Sequence, residues 1–227
     1  EIVGLIGDTD VIDCFYQDWG TGGWNYYNGS TDSDYGQLSG NDLIPEVFVG
    51  RISAQGVSTM ENVINKTLQY EKAQYVDDEW FMRAALVGDP SQSGNSTIFT
   101  NQYIENIMTN HGMTDAEGYY SGNGISNWLV NQFNDGIIYY NYRGIYGDDG
   151  TDFSQLSSQI NNGYKTPFVT VMTCGTGDFD DSNSQIEEFV KWGSVNSPKG
   201  AVAGIGLATT GTHTAYNNIV DMGIYDG

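Results

Sequence analysis

The sequence predicts an α/β protein, a three-layer α/β/α sandwich built around a mostly parallel sheet. Three observations carry this expectation. Short β-branched runs alternate with segments of helical period. Several of those runs are apolar at consecutive positions, as parallel strands covered on both faces must be. The chain has 227 residues, 39% hydrophobic and 13% aromatic, enough for one sizeable core. No internal repeat or low-complexity linker divides it, so residues 1–227 are read as a single domain.

The elements follow in order. Candidate strands are Ile2–Ile6, Val47–Ile52, Ala84–Val87, Ile137–Tyr142, Phe168–Thr173 and Ala201–Ile205. Ser58 and Glu61 have capping-box spacing ahead of Met60, Val63, Ile64 and Leu68, which share one helix face. A second helix carries Tyr103, Ile104, Ile107 and Met108 and stops at Gly112, with His111 where an imidazole suits a helix C-terminus. Ile125, Leu129 and Phe133 mark a third helix, and Ile186, Phe189 and Val190 a fourth. The segment Asp18 to Asp42 has no period and reads as a long ordered loop, a kind that is often functional. Glu1 leads straight into a core strand, so an excerpt of a longer chain is expected.

Charge removes whole classes of partner. There are 29 acidic residues against 8 Lys plus Arg, a formal net charge of −21. Nucleic-acid binding rests on clustered cations that this chain lacks. Anionic membrane surfaces are excluded by the same argument. No apolar run reaches the roughly 20 residues of a membrane-spanning helix. The acidity suits a secreted or surface protein.

In open parallel sheets, ligands bind beyond the carboxyl ends of the strands. Those ends are Gly7-Asp8-Thr9-Asp10, Gly88-Asp89, Arg143-Gly144-Ile145-Tyr146-Gly147 and Cys174-Gly175-Thr176-Gly177-Asp178. A thiol, several carboxylates and close-packed glycines thus meet at one edge. Small residues around Cys174 would admit a substrate carbonyl and leave backbone N–H groups as oxyanion donors. Cys174 is otherwise a small apolar core residue, or half of a Cys14–Cys174 bridge that would silence it. The acidic runs 148–149 and 178–181 read as solvated turns.

Five pieces of the chain, in order, resemble a known family. They are Gly7-Asp8-Thr9-Asp10, Asn41-Asp42-Leu43-Ile44-Pro45-Glu46-Val47-Phe48-Val49-Gly50-Arg51, Leu68-Gln69-Tyr70-Glu71-Lys72, Asn141-Tyr142-Arg143-Gly144 and Cys174-Gly175-Thr176-Gly177-Asp178-Phe179. Together they look like the gingipain family of cysteine endopeptidases. That resemblance implies a caspase-like α/β/α domain, protein or peptide substrates, and a secreted or surface-anchored bacterial origin. It also implies that an N-terminal subdomain and part of the C-terminal end lie outside this chain. By resemblance, Cys174 is the nucleophile and Asp89 the acid that orients the catalytic histidine. Asp8, Asp42, Glu46 and the Ile44 carbonyl match a calcium site, which suits an ion that takes hard oxygen ligands.

One position departs from the pattern. The motif histidine falls at Ile145. A cysteine peptidase needs a base near the thiol and an acid for the leaving amine, and isoleucine is neither. Of the two histidines, His213 lies in the Thr209–Thr214 segment that lines the specificity pocket in the family, where it could approach Cys174. Arg143 could stabilise a thiolate or pair with Asp89, but a guanidinium is no base near neutral pH. Neither Pro90–Gln102 nor Gly204–Asn218 contains a carboxylate, so no strong preference for Arg or Lys at the cleaved position is expected. Two functions therefore stand side by side. One is a cysteine endopeptidase with a non-standard or missing base; the other is a catalytically silent, calcium-stabilised surface or binding module.

Overall fold

Consecutive apolar strands need cover on both faces, and the chain supplies it with helices. The computed structural model describes residues 1–18, 28–40, 42–72, 79–121, 123–147, 151–180 and 184–226. In chain order the strands are β1 (Ile2–Ile6), β2 (Phe15–Asp18), β3 (Asn28–Thr31), β4 (Phe48–Ile52), β5 (Arg83–Gly88), β6 (Asp115–Tyr119), β7 (Tyr139–Arg143), β8 (Phe168–Val171), β9 (Gly193–Ser194), β10 (Ser197–Pro198) and β11 (Ala203–Gly206). The helices are α1 (Val57–Glu71), α2 (Pro90–Ser93), α3 (Ser96–Asn110), α4 (Ile125–Asp135), α5 (Phe153–Gln159), α6 (Gln185–Lys191) and α7 (Thr214–Asp226).

Five strands form an all-parallel sheet in the order β11-β8-β7-β5-β6. Strand β5 shows how its faces are divided, because side chains alternate along a strand. Ala85 and Val87 join Leu129 and Phe133 of α4, Leu156 of α5 and Phe189 of α6 in the larger core. Ala84 and Leu86 join Ile104 and Met108 of α3 on the other side, with Tyr225 of α7 packed against them. The three-layer α/β/α sandwich is therefore the observed architecture. Among the described residues, no helix is long and apolar enough to cross a membrane.

Strands β1 and β4 pair with each other in parallel, as a separate two-stranded sheet, and leave Ile2, Ile6 and Phe48 exposed, so β1 is not the covered core strand its apolar sequence suggested. Polar contacts tie this pair to α6: Lys191 Nζ lies 3.5 Å from Asp8 and 3.2 Å from Glu187, and the Ser53 hydroxyl donates to Glu187. Helix α1 holds the end of α6 through a wholly buried lysine. Lys66 donates to the carbonyls of Val190, Trp192 (3.2 Å) and Lys199 (3.0 Å), and burial pulls its pKa down to about 7.

Several expectations need correction. The Ser58–Glu61 capping box does not form; α1 starts after Gly56 at φ 87° with no side-chain cap. The aperiodic segment after Asp18 is partly regular, because β2 and β3 make an antiparallel hairpin followed by a 3-10 turn at Ser33–Gly36; residues 19–27 and Asn41 lie outside the described residues. The acidic run at 148–149 also falls outside them. Strand β6 and helices α5 and α7 were not expected. The sequence of β6, DAEGY, is too polar to signal a strand, and α7 exposes Tyr216, Ile219 and Val220 while burying Asn217, Asn218 and Asp221.

Candidate active site

The parallel register brings three strand ends to one edge. Gly88 pairs with Arg143 and Tyr142 with Val171. Just beyond, the Asp89 N–H donates to the Arg143 carbonyl at 2.9 Å and the Met172 N–H to the Tyr142 carbonyl at 3.2 Å. Asp89, Gly144 and the turn that begins at Cys174 thus leave adjacent strands together. Gly144 is required by this closeness, since a Cβ there would stand 2.7 Å from the Asp89 Cβ and 2.8 Å from the Tyr142 hydroxyl.

Asp89 is buried and its carboxylate is already used. Oδ1 caps α2, accepting the Ser91 N–H at 2.9 Å and the Ser91 hydroxyl at 2.6 Å. Oδ2 accepts the Tyr142 hydroxyl at 3.1 Å, which also lies 3.0 Å from the Ile145 carbonyl. Burial, and then the neighbouring Asp89 charge, push the Tyr142 pKa up, so this phenol stays a donor. Tyr142 thus holds the carboxylate that was expected to orient an imidazole. Ile145 itself is half-exposed, at 40%.

Arg143 does not pair with Asp89. Its side chain is buried, and Nε donates to Asn218 Oδ1 at 2.6 Å. Nη1 donates to the carbonyls of Gly144 (3.2 Å) and Met172 (3.0 Å), and Nη2 to that of Thr214 (3.1 Å). Burial lowers its pKa, and the Asp221 and Cys174 charges oppose the shift. Asp221 lies on the same helix as Asn218 and accepts from Asn141 Nδ2 at 3.0 Å. Arg143 therefore pins α7 to the ends of β7 and β8.

Cys174 is half-buried, and both it and Cys14 are free thiols, so the bridge does not form. Its Sγ lies 2.8 Å from Thr212 Oγ1 and 3.8 Å from the Thr212 carbonyl. Thr212 Oγ1 in turn accepts from Asn217 Nδ2 at 2.9 Å. His213, the residue singled out in this segment, is exposed; its Nδ1 accepts the Ala215 N–H at 3.1 Å at the start of α7. Among the described residues, no hydrogen bond joins it to Cys174. The segment expected to approach the thiol does so, but through Thr212.

Two expected oxyanion donors are occupied: Gly175 N–H donates to the Thr209 carbonyl (3.1 Å) and Gly177 N–H to that of Leu207 (3.0 Å). In the acidic turn after Cys174, Asp178 is half-buried and Asp180 exposed, as a solvated turn would have it, and each accepts a hydrogen bond; residue 181 lies outside the described residues. Ser30 donates to Asp178 at 2.6 Å and Tyr16 to Asp180. The Arg51 guanidinium, paired with Asp32 at 2.7 Å, stands 5.1 Å from the centre of the Phe179 ring.

The calcium ligands expected by resemblance are not drawn together as described. Asp8 faces Lys191. Burial raises its pKa, but the Thr9 N–H, the Ser53 hydroxyl and the Lys191 charge outweigh this and hold it below the ordinary value. Asp42 accepts the Ile44 N–H at 2.9 Å, and Glu46 accepts those of Leu38 (2.7 Å) and Ser39 (3.2 Å). No group of three or more His, Cys, Asp or Glu side chains able to hold a metal occurs among the described residues.

A thiol beyond the end of β8 and a buried carboxylate beyond the end of β5, with β7 between them, share one edge of a parallel sheet, as in the class of caspase-like cysteine peptidase folds. The chain belongs to Peptidase family C25, whose model matches residues 1–227. It is 30% identical over 158 residues to Gingipain R2 of Porphyromonas gingivalis, covering 66% of this chain and 22% of that protein. It is 31% identical over 148 residues to Lys-gingipain W83 of the same organism, covering 61% of this chain and 8% of that one. The crystal structure of the Arg-specific cysteine proteinase gingipain R superposes with a TM-score of 0.74 at 29% identity, over 90% of this chain and 48% of that one. A structure described as a protease gives a TM-score of 0.79 at 25% identity, over 97% of this chain and 48% of that one. The chain spans under half the length of the proteins it matches.

Proposed function

We propose that this chain is a peptide-engaging, gingipain-like cysteine peptidase domain that keeps the nucleophile Cys174 but has, among the described residues, no group placed to protonate a departing amine. The observation that supports this most directly is the Cys174–Thr212 contact of 2.8 Å, with isoleucine at 145 and Tyr142 on Asp89. A threonine hydroxyl can hold a thiol in place, but at neutral pH it is neither a general base nor a general acid. Attack at carbonyl carbon then remains available, whereas expulsion of an amine does not. An extracellular or cell-surface setting goes with this reading; it rests on the resemblance and on the net charge of −21.

Leaving-group chemistry tests the proposal. A peptide thioester expels a thiolate, which needs no proton, so Cys174 should be acylated with release of about one equivalent of thiol. The matching peptide amide should give no turnover, and Cys174→Ala should abolish the burst. Amide turnover at peptidase rates would show that another group supplies the proton. No burst at all would favour the silent binding module, the reading that Ile145 supports.

Calcium enters the proposal only as a brace, and no step runs through it. An ion shared by Asp8, Asp42 and Glu46 would have to compete with Lys191 and with the backbone N–H groups of Thr9, Ile44, Leu38 and Ser39. With the brace in place, excess chelator should lower the melting temperature, and an unchanged transition with no metal by elemental analysis would remove the site. A fall in the melting temperature, with stoichiometric calcium by elemental analysis, would place the ion and displace Lys191 as the partner of Asp8.

A further inference from the structure

Resting on Cys174 as the nucleophile, we propose that Thr212 is the positioning residue for its sulfur, through a hydrogen-bond chain that runs from Asn217 Nδ2 to Thr212 Oγ1 to Cys174 Sγ. Three features of the geometry support this. Asn217 is buried and its amide N–H, which can only donate, occupies an acceptor site on the Thr212 oxygen at 2.9 Å. The Thr212 hydroxyl keeps its proton free to donate to its other neighbour, the sulfur at 2.8 Å, a contact in which either atom can be the donor. The Thr212 carbonyl, 3.8 Å from the sulfur, offers an acceptor to the thiol proton when the sulfur carries one.

One residue therefore serves both forms of the nucleophile: its carbonyl faces the thiol and its hydroxyl faces the thiolate. A hydrogen bond to a charged atom is stronger than one between neutral groups, so the hydroxyl favours the reactive form. The chain is also anchored. Asn217 neighbours Asn218, which accepts from Arg143 at 2.6 Å, and Arg143 also holds the Thr214 carbonyl at 3.1 Å. Thr212 is thus held over the sulfur by the same clamp that fixes α7 to the sheet.

The test measures the rate of Cys174 alkylation by iodoacetamide at a fixed pH, in the full chain carrying Cys14→Ser so that one thiol is read. Thr212→Val, which keeps shape and removes the hydroxyl, should slow labelling by about 10- to 100-fold. Thr212→Ser, which keeps the hydroxyl, should restore it to within about threefold, a rescue that a packing role would not give. Asn217→Ala should slow labelling by a smaller factor, and each melting curve shows that the fold survives. Labelling of Thr212→Val at the parent rate would overturn the proposal, as would a Thr212→Ser variant no faster than valine. A parent that is not labelled at Cys174 at all would overturn the nucleophile reading beneath it, so the two failures are told apart.

Discussion

Ile145→His combined with Tyr142→Phe should raise cleavage of peptide amides by about 10²–10⁴-fold over the unmodified chain, the usual worth of a positioned general acid–base. The pairing follows from the geometry. Asp89 Oδ2 is held by the Tyr142 hydroxyl at 3.1 Å, so an imidazole added alone meets a carboxylate whose orienting oxygen is taken. Phenylalanine at 142 keeps the ring and releases that oxygen, which can then fix the tautomer of the new histidine as the third group of a triad does. It also leaves the Ile145 carbonyl without its 3.0 Å donor, a loss of about 1–3 kcal/mol that a melting curve should register. Ile145→His alone should gain less than the pair, and Cys174→Ala should abolish the gain in both. A folded double variant that stays inert on unfolded protein substrates would show that more than the base has been lost.

Arg143→Met should destabilise the fold by about 3–5 kcal/mol in urea titration, the range found when one partner of a buried charge network is removed. The guanidinium satisfies three carbonyls and Asn218 and faces Asp221, whose pKa burial pushes up to about 7, against the lowering effects of Asn141 and Arg143. The pH dependence has a definite sign. Between the ordinary Asp value of 3.8 and about 7, the folded chain keeps a proton at Asp221 that the unfolded chain has released. Stability from this group is therefore full at low pH and lost as pH rises to about 7. The loss should extend to higher pH in Arg143→Met, which removes a cation that lowers the Asp221 pKa, and be absent in Asp221→Asn. A variant as stable as the parent across that range would remove Arg143 from the clamp.

The sheet was legible because its central strands carry apolar residues at consecutive positions. Val87, Tyr142 and Val169 are fully buried, and such runs fit little besides a covered parallel strand. The helices that pack apolar stripes, α3 and α4, were legible for the same reason. What escaped was structure held by polar groups. Helix α7 turns Asn217, Asn218 and Asp221 inward, a spacing of one helix face that hydropathy reads as surface. At the site, strand-end logic put Cys174 and Asp89 beyond the ends of parallel strands, and that is where the structure has them. Thr212 was missed by one residue, because reasoning from chemistry went to the titratable neighbour, His213. Tyr142 was quoted only as part of a motif; that its hydroxyl would replace an imidazole at Asp89 follows from three-dimensional placement alone.

The way Asp89 is bonded bears on how relatives of this chain are sorted. Its carboxylate starts a helix and receives a buried phenol, and its Cβ stands so close to residue 144 that only glycine fits there. Losing it would leave the Ser91 N–H uncapped and the Tyr142 hydroxyl with the Ile145 carbonyl alone, whether or not a peptide is ever cut. Folding alone would preserve such an acid long after selection for cleavage has relaxed. Position 145 carries no such duty to the scaffold, since its side chain is half-exposed. In chains built like this one, the aspartate by itself is therefore a mark of the scaffold, and residue 145 is the position that distinguishes one kind of site from another.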